Sequence, residues 1–141
     1  APAARVFEAW LKPEQLEQWM FGPAVRDEEI VHLALDPRVG GAFSFRVERD
    51  GEPVEHVGKY LEISAPRRLA FTWMVADDSL GSRVTVDILE RGEGGCALTL
   101  TQELHPSWAS HVDAIAASWT HMLGLLARVV NSSDLRPAPR R

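Results

Sequence analysis

Residues 107–130, SWASHVDAIAASWTHMLGLLARVV, form the stretch that decides the fold. At about 100° per residue in a helix, its large apolar side chains fall on one arc centred near Trp119. This arc consists of Trp108, Val112, Ile115, Ala116, Trp119, Met122, Leu123, Leu126 and Val130, whereas Ala117 and His121 lie opposite. An apolar surface that wide needs a broad partner, so the sequence predicts one long helix packed against a sheet.

Upstream of this stretch, apolar and polar residues alternate, as is typical of half-buried strands. The first strand carries Val31, Leu33 and Leu35 on one face. Turn residues separate the successive strands at 36–41, 50–51, 64–66 and 92–95. The pattern predicts about six antiparallel strands connected by hairpins. Ahead of them, apolar residues recur at helical spacing in a segment that begins at Ala1-Pro2 and ends at Lys12-Pro13, and again from Pro13 to Met20, which predicts two short helices.

Composition and charge restrict the class of protein. With 141 residues, 45% of them hydrophobic, the chain is long enough for one domain with a real core, which we place at 1–130, followed by a polar tail at 131–141. A net charge of -5 makes nucleic acid an unlikely partner. No apolar run approaches the roughly 20 residues of a membrane span, and the lone Cys96 cannot form an internal disulfide. We therefore expect a cytoplasmic protein.

Several short motifs follow one another in a set order along the chain. They are Ala1-Pro2, Val6-Phe7, Ala9-Trp10, Pro13-Glu14, Leu16, Trp19, Asp36, Arg38 to Gly41, Gly58, Tyr60, Glu62-Ile63, Leu69, Phe71 to Trp73 and Val84 to Val86. In order and spacing they resemble the domain found in activators of the heat-shock-protein-90 ATPase and in their bacterial relatives, a family of the START-like superfamily.

The resemblance implies an α+β helix-grip fold, in which a curved antiparallel sheet of six or seven strands wraps around the C-terminal helix, often enclosing an apolar cavity. It also implies a strand ahead of the first helix, which this sequence lacks, so we expect that the beginning of the chain is missing. Ser118 stands before Trp119 where the family usually has Gly. Members of the superfamily include ligand carriers, cyclases and chaperone partners, so the fold alone does not select an activity.

The candidate ligand-binding residues are those expected to face the space between sheet and helix. They are Trp19, Phe43, Phe45, His56, Tyr60, Phe71, Trp73, Trp119, Met122 and Leu123. His56 and Tyr60 alternate onto one strand face with Gly58 between them, and two polar groups in an apolar wall are typical of a ligand pocket. The alternative is that the aromatic residues fill the space as core, that Gly58 accommodates a bulge or a neighbouring ring, and that His56 reaches solvent at the rim of the sheet. Trp19 either forms the cavity mouth or seals the core.

Three functions follow from these residues and from the resemblance. The leading hypothesis is a protein that binds a small apolar or aromatic molecule between the sheet and the C-terminal helix. The second is a cyclase- or hydrolase-like enzyme in which His56 and Tyr60 carry protons in the same cavity. The third is a chaperone-partner module, which the family name alone suggests. The pattern indicates no cofactor, no metal site and no catalytic nucleophile, and pairing of two copies through an exposed aromatic patch is compatible with any of the three.

Overall fold

The computed structural model describes residues 1–76 and 81–135, with side chains up to residue 131. The chain forms, in order, α1 (Ala3–Glu8), α2 (Pro13–Trp19), β1 (Glu29–Leu35), β2 (Ala42–Arg49), β3 (Glu52–Ser64), β4 (Arg68–Val75), β5 (Ser82–Arg91), β6 (Gly95–Glu103), a 3₁₀ helix (Pro106–His111) and α3 (Val112–Leu135). The predicted order of two short helices, six strands and a long C-terminal helix is confirmed.

The strands form one curved sheet in sequence order, and each pairs antiparallel with the next. The turn between β2 and β3 shows why the meander forms locally. Asp50 and Gly51 both have positive φ, at 55° and 77°, as the tight turns that match the twist of paired strands require. The sheet is therefore the predicted hairpin meander.

The long helix differs from the prediction at both ends. Its first turn is a 3₁₀ helix that ends at His111, and α3 continues to Leu135, into the segment assigned to the tail. Trp119, Met122, Leu126 and Val130 are buried as predicted. Val112, also placed on the apolar arc, is 47% exposed. Residues 136–141 of the predicted tail lie outside the described residues.

The predicted inner face of β1 is wrong at Val31. The pairing of β1 with β2 shifts between Ile30 and His32, and this bulge leaves Val31 50% exposed. A single extra residue reverses the alternation, so Ile30 joins Leu33 and Leu35 against the core in place of Val31.

The two short helices close one end of the space between the sheet and α3. Trp10, Leu16 and Trp19 are almost fully buried, and the Trp10 and Trp19 rings meet edge to face with centroids 4.6 Å apart. Trp19 Nε1 donates a hydrogen bond of 3.1 Å to the Ala9 carbonyl, which satisfies its only polar group. These side chains leave the other end of the space to hold the candidate site.

Candidate functional site: a pocket between the sheet and the C-terminal helix

An open pocket of about 230 Å³ lies between α3 and the ends of β2 to β6. Apolar and aromatic side chains form most of its wall, with a smaller set of polar and charged groups. Its lining residues are Phe21, Arg26, Arg49, His56, Trp73, Met74, Val75, Ser82, Gln102, Leu104, Trp108, Ile115, Ser118, Trp119 and Met122. This composition, with few polar groups in an apolar wall, is typical of small-molecule sites.

The structure divides the predicted ligand-binding residues into two groups. His56, Trp73, Trp119 and Met122 line the pocket. Leu123 lies away from it, in a separate surface depression lined also by Cys96, Leu98 and residues at both ends of the domain.

The remaining predicted residues lie where side chains fill the space. Phe43, Phe45, Tyr60 and Phe71 are at most 4% exposed and surround a residual void of only about 10 Å³. Trp10, Leu16 and Met20 of the short helices and the following turn occupy the volume that would otherwise be cavity. Trp19 is fully buried, so it seals the core and does not form a cavity mouth.

Gly58 marks the boundary between the filled half and the pocket. A Cβ at this position would clash with the Thr72 carbonyl oxygen and would lie 2.6 Å from Cζ of Phe43. Glycine is needed here so that the Phe43 ring can cross the strand, which is the alternative that the sequence left open. The ring of Phe43 then stacks on that of Phe45, with centroids 4.8 Å apart, and closes that half of the space.

A hydrogen-bonded chain fixes one wall of the pocket. Trp119 Nε1 donates to Gln102 Oε1 at 2.9 Å, and Gln102 Nε2 donates to Ser82 Oγ at 2.8 Å. Ser82 Oγ in turn donates to the Trp73 carbonyl at 2.8 Å. These bonds connect α3, β6, β5 and β4, so the Trp119 indole and the backbone of Trp73 are tied together at the pocket wall.

A buried carboxylate with two arginines forms the charged end of the pocket. Glu28, whose side chain is 0% exposed, lies 3.0 Å from Arg26 Nη1 and 2.8 Å from Arg49 Nε. Its Oε2 also accepts a hydrogen bond of 2.7 Å from the Gly22 amide. Both arginines line the pocket, whereas the carboxylate lies behind them.

His56 is the titratable group that the apolar wall affects most. Its ring stacks on Trp73, with centroids 4.7 Å apart, and lies 5.5 Å from that of Phe21. Burial, and to a smaller extent the positive charges of Arg49 and Arg26, lower the pKa of His56 to about 4, against a weaker opposing effect of Glu28. His56 is therefore neutral at physiological pH. Its Nδ1 is buried without a hydrogen-bond partner among the described residues.

The enzyme hypothesis requires His56 and Tyr60 to reach the same ligand, and the structure places them in different parts of the interior. Both His56 and Tyr60 point inward, but Tyr60 lies among the rings of Phe43 and Phe71 in the filled half. Burial raises the pKa of Tyr60, and the charge of Asp36 raises it further, so the hydroxyl stays protonated. A ligand in the pocket would contact His56 alone of the two.

Sequence reasoning missed the charged and loop-derived residues of the pocket. Arg49 ends the inner face of β2, two residues after Val47, so the alternation contained a signal for it. Arg26 and Glu28 lie in the connection from α2 to β1, which has no period to read. Trp108 was placed on the apolar arc but lies in the 3₁₀ helix, where it lines the pocket.

The described residues show neither a metal-binding cluster nor a membrane-spanning helix. They contain no group of three or more His, Cys, Asp or Glu side chains arranged to hold a metal ion. None of the helices in the described part of the chain is long and apolar enough to cross a membrane.

Fold and pocket together define a helix-grip protein, and comparison with known proteins agrees. The chain belongs to the family described as activator of Hsp90 ATPase homolog 1-like protein, whose model matches residues 1–131. A search of curated proteins finds no match.

Solved structures of bacterial proteins share the fold. A Chromobacterium violaceum protein is 27% identical with a TM-score of 0.79, over 92% of this chain and 90% of that chain. A Rhizobium leguminosarum protein is 24% identical with a TM-score of 0.73, over 94% and 88%. The AHSA1-like protein from Aeromonas hydrophila is 22% identical with a TM-score of 0.73, over 99% and 92%.

Proposed function

We propose that this protein binds a small apolar or aromatic molecule in the pocket between α3 and the sheet. The supporting observation is the open space of about 230 Å³ bounded by Phe21, Trp73, Trp108 and Trp119. An apolar cavity of about 150 Å³ accepts one benzene ring, so this pocket has room for a body of one or two rings. The fold family commonly binds hydrophobic ligands, which favours the same function.

The physical basis of binding is burial of apolar ligand surface against rings that are already in place. Trp73 and Trp119 lie with centroids 5.6 Å apart, and the Trp119 indole is fixed by its bond to Gln102. Preformed rings lose little conformational freedom when a ligand enters, so more of the burial energy appears as affinity. At about 25 cal/mol per Å², burying about 200 Å² of apolar ligand surface supplies roughly 5 kcal/mol before association costs.

The test is isothermal titration calorimetry, in which the full chain is titrated with neutral one- and two-ring aromatic compounds. Ser118 lines the pocket from α3, so Ser118→Trp should fill it and abolish binding. Ala117, also exposed on α3, lies outside the pocket lining, and Ala117→Trp is the matched control that should bind as the unmodified chain does. Equal loss of binding in both variants, or no binding by the unmodified chain below about 1 mM, would overturn the proposal.

Native mass spectrometry of freshly purified protein gives a second readout. A retained small molecule that disappears in Ser118→Trp but not in Ala117→Trp would locate the natural ligand in this pocket. The same spectrum reports the oligomeric state, and so tests whether two copies pair.

A further inference from the structure

The charges of Arg26, Glu28 and Arg49 do not balance. One guanidinium is enough to neutralise the Glu28 carboxylate, and a second approaches its other oxygen, so the three side chains carry a net charge of +1. The whole protein has a net charge of -5, so this cluster is opposite in sign to the protein as a whole. An uncompensated charge at a partly buried position is costly unless something pairs with it.

The surplus charge is presented to the pocket. The Glu28 side chain is 0% exposed, whereas those of Arg26 and Arg49 are 23% and 35% exposed and line the pocket. The hydrogen bonds within the described residues use Nη1 of Arg26, to Glu28 and the Met20 carbonyl, and Nε of Arg49. Among the described residues the other guanidinium N–H groups of Arg26 and Arg49 have no partner, which leaves them for an acceptor in the pocket.

Glu28 gives these donors fixed positions. It holds the two arginines from behind through separate oxygens, and the Gly22 amide fixes the carboxylate itself. Guanidinium groups held in this way present planar pairs of N–H donors, the geometry that recognises a carboxylate through parallel hydrogen bonds. His56, stacked on Trp73 and in contact with Phe21, is neutral at neutral pH and leaves the charge of the cluster at +1.

We infer that the ligand is a small aromatic or apolar monocarboxylate, whose body lies against Trp73 and Trp119 and whose carboxylate pairs with Arg26 and Arg49. The inference rests on the proposed function and assigns its chemical class. A single negative charge matches the +1 of the cluster, which favours a carboxylate over a doubly charged phosphate monoester. The ligand's anion replaces water at the guanidinium groups and completes the charge balance that Glu28 leaves open.

The test compares naphthalene derivatives of one substitution pattern that differ only in the polar group: naphthoic acid, naphthylmethanol, naphthylmethylamine and naphthyl phosphate. Isothermal titration calorimetry near pH 7.5 should show the acid binding at least about tenfold tighter than the alcohol, as expected for a charge-assisted contact, and the amine weakest. Added salt should reduce the preference for the acid and leave the affinity for the alcohol nearly unchanged.

Two variants change the cluster charge in opposite directions. Arg49→Gln lowers it to zero and should remove most of the preference for the acid, whereas Glu28→Gln raises it to +2 and should increase that preference. Arg46→Gln is the control for total charge, because Arg46 pairs with Glu55 and lies outside the pocket lining. Thermal unfolding shows which variants are folded. Because Arg49→Gln and Glu28→Gln are expected to change the preference for the acid in opposite directions, either one tests the inference if the other does not fold.

The outcomes separate this inference from the proposed function. Equal affinity for acid and alcohol would overturn the carboxylate assignment while leaving a pocket for apolar molecules. Tighter binding of the phosphate than of the acid would assign a phosphate monoester and overturn the monocarboxylate. If the acid, the alcohol and the neutral aromatic compounds all fail to bind, the proposed function itself is overturned.

Discussion

Lowering the pH should destabilise this protein through His56. An unfolded histidine has a pKa of 6.5, and burial beside Arg49 and Arg26 lowers the pKa of the folded side chain to about 4. Above the unfolded value the ring is neutral in both states and contributes no pH dependence. Between the two values the unfolded chain binds a proton that the folded chain does not, so stability falls as the pH falls and the loss levels off below about 4.

The magnitude follows from these two pKa values. Near pH 5 the unfolded histidine is almost fully protonated and the folded one almost neutral, which costs about 2 kcal/mol of unfolding free energy relative to pH 7.5. Below pH 4 the loss approaches about 3 kcal/mol.

The assay is urea unfolding of the unmodified chain and of His56→Phe at a series of pH values. Tryptophan fluorescence reports the fraction of unfolded protein. Phenylalanine keeps a ring stacked on Trp73 but cannot titrate, so carboxylates common to both proteins cancel in the difference. The unmodified chain should lose about 2 kcal/mol more than the variant between pH 7.5 and pH 5. Parallel curves, or a His56 titration midpoint near 6.5 by nuclear magnetic resonance, would refute the reasoning.

Other predictions concern the packed half and the surface. Gly58→Ala should destabilise the fold by about 1–3 kcal/mol or more, because the added methyl group would overlap Phe43; an unchanged urea midpoint would contradict the packing described. Trp19→Ala should cost about 3–5 kcal/mol, since the side chain is fully buried, whereas a residue at a cavity mouth would cost far less in the same urea experiment. Arg38→Ala should leave the thermal midpoint unchanged, because its 2.7 Å ion pair with Asp36 is solvent-exposed; a clear drop would assign that loop a structural role.

Much of the architecture could be predicted because it is periodic. The period of two in the strands and the helical period around Trp119 report burial directly, and the Asp50-Gly51 turn fixes a hairpin. The predictions were wrong where the structure departs locally from the regular spacing of a strand or an α-helix. The bulge beside Val31 reverses a strand face, and a 3₁₀ turn changes the direction of Trp108 relative to the helix that follows.

The candidate site was predictable only in part, for a physical reason. Alternation shows that Phe43 and His56 face inward, but not whether the space in front of them is empty. That depends on what the other elements insert, and Trp10 of the first connection, whose ring centroid lies 6.2 Å from those of Phe71 and Trp119, fills one half. The enzyme hypothesis depended on both halves forming one cavity, and the chaperone-partner hypothesis stays a prediction from the family name.

The position of the pocket follows from where along the chain the large side chains lie. Large side chains from α1, α2 and the turn after it enter one end of the space between sheet and helix, so Phe43, Tyr60 and Phe71 become core. At the other end the connection from α2 to β1 supplies Arg26 and Glu28, which interact with Arg49 at the end of β2. The periodic elements therefore supply the apolar wall and Arg49, and a short connection without periodicity supplies Arg26 and the Glu28 carboxylate that holds both guanidinium groups. On the proposal of a carboxylate ligand, we expect a relative with the same strands but a different connection to keep the apolar wall and to differ in the polar group that its pocket selects.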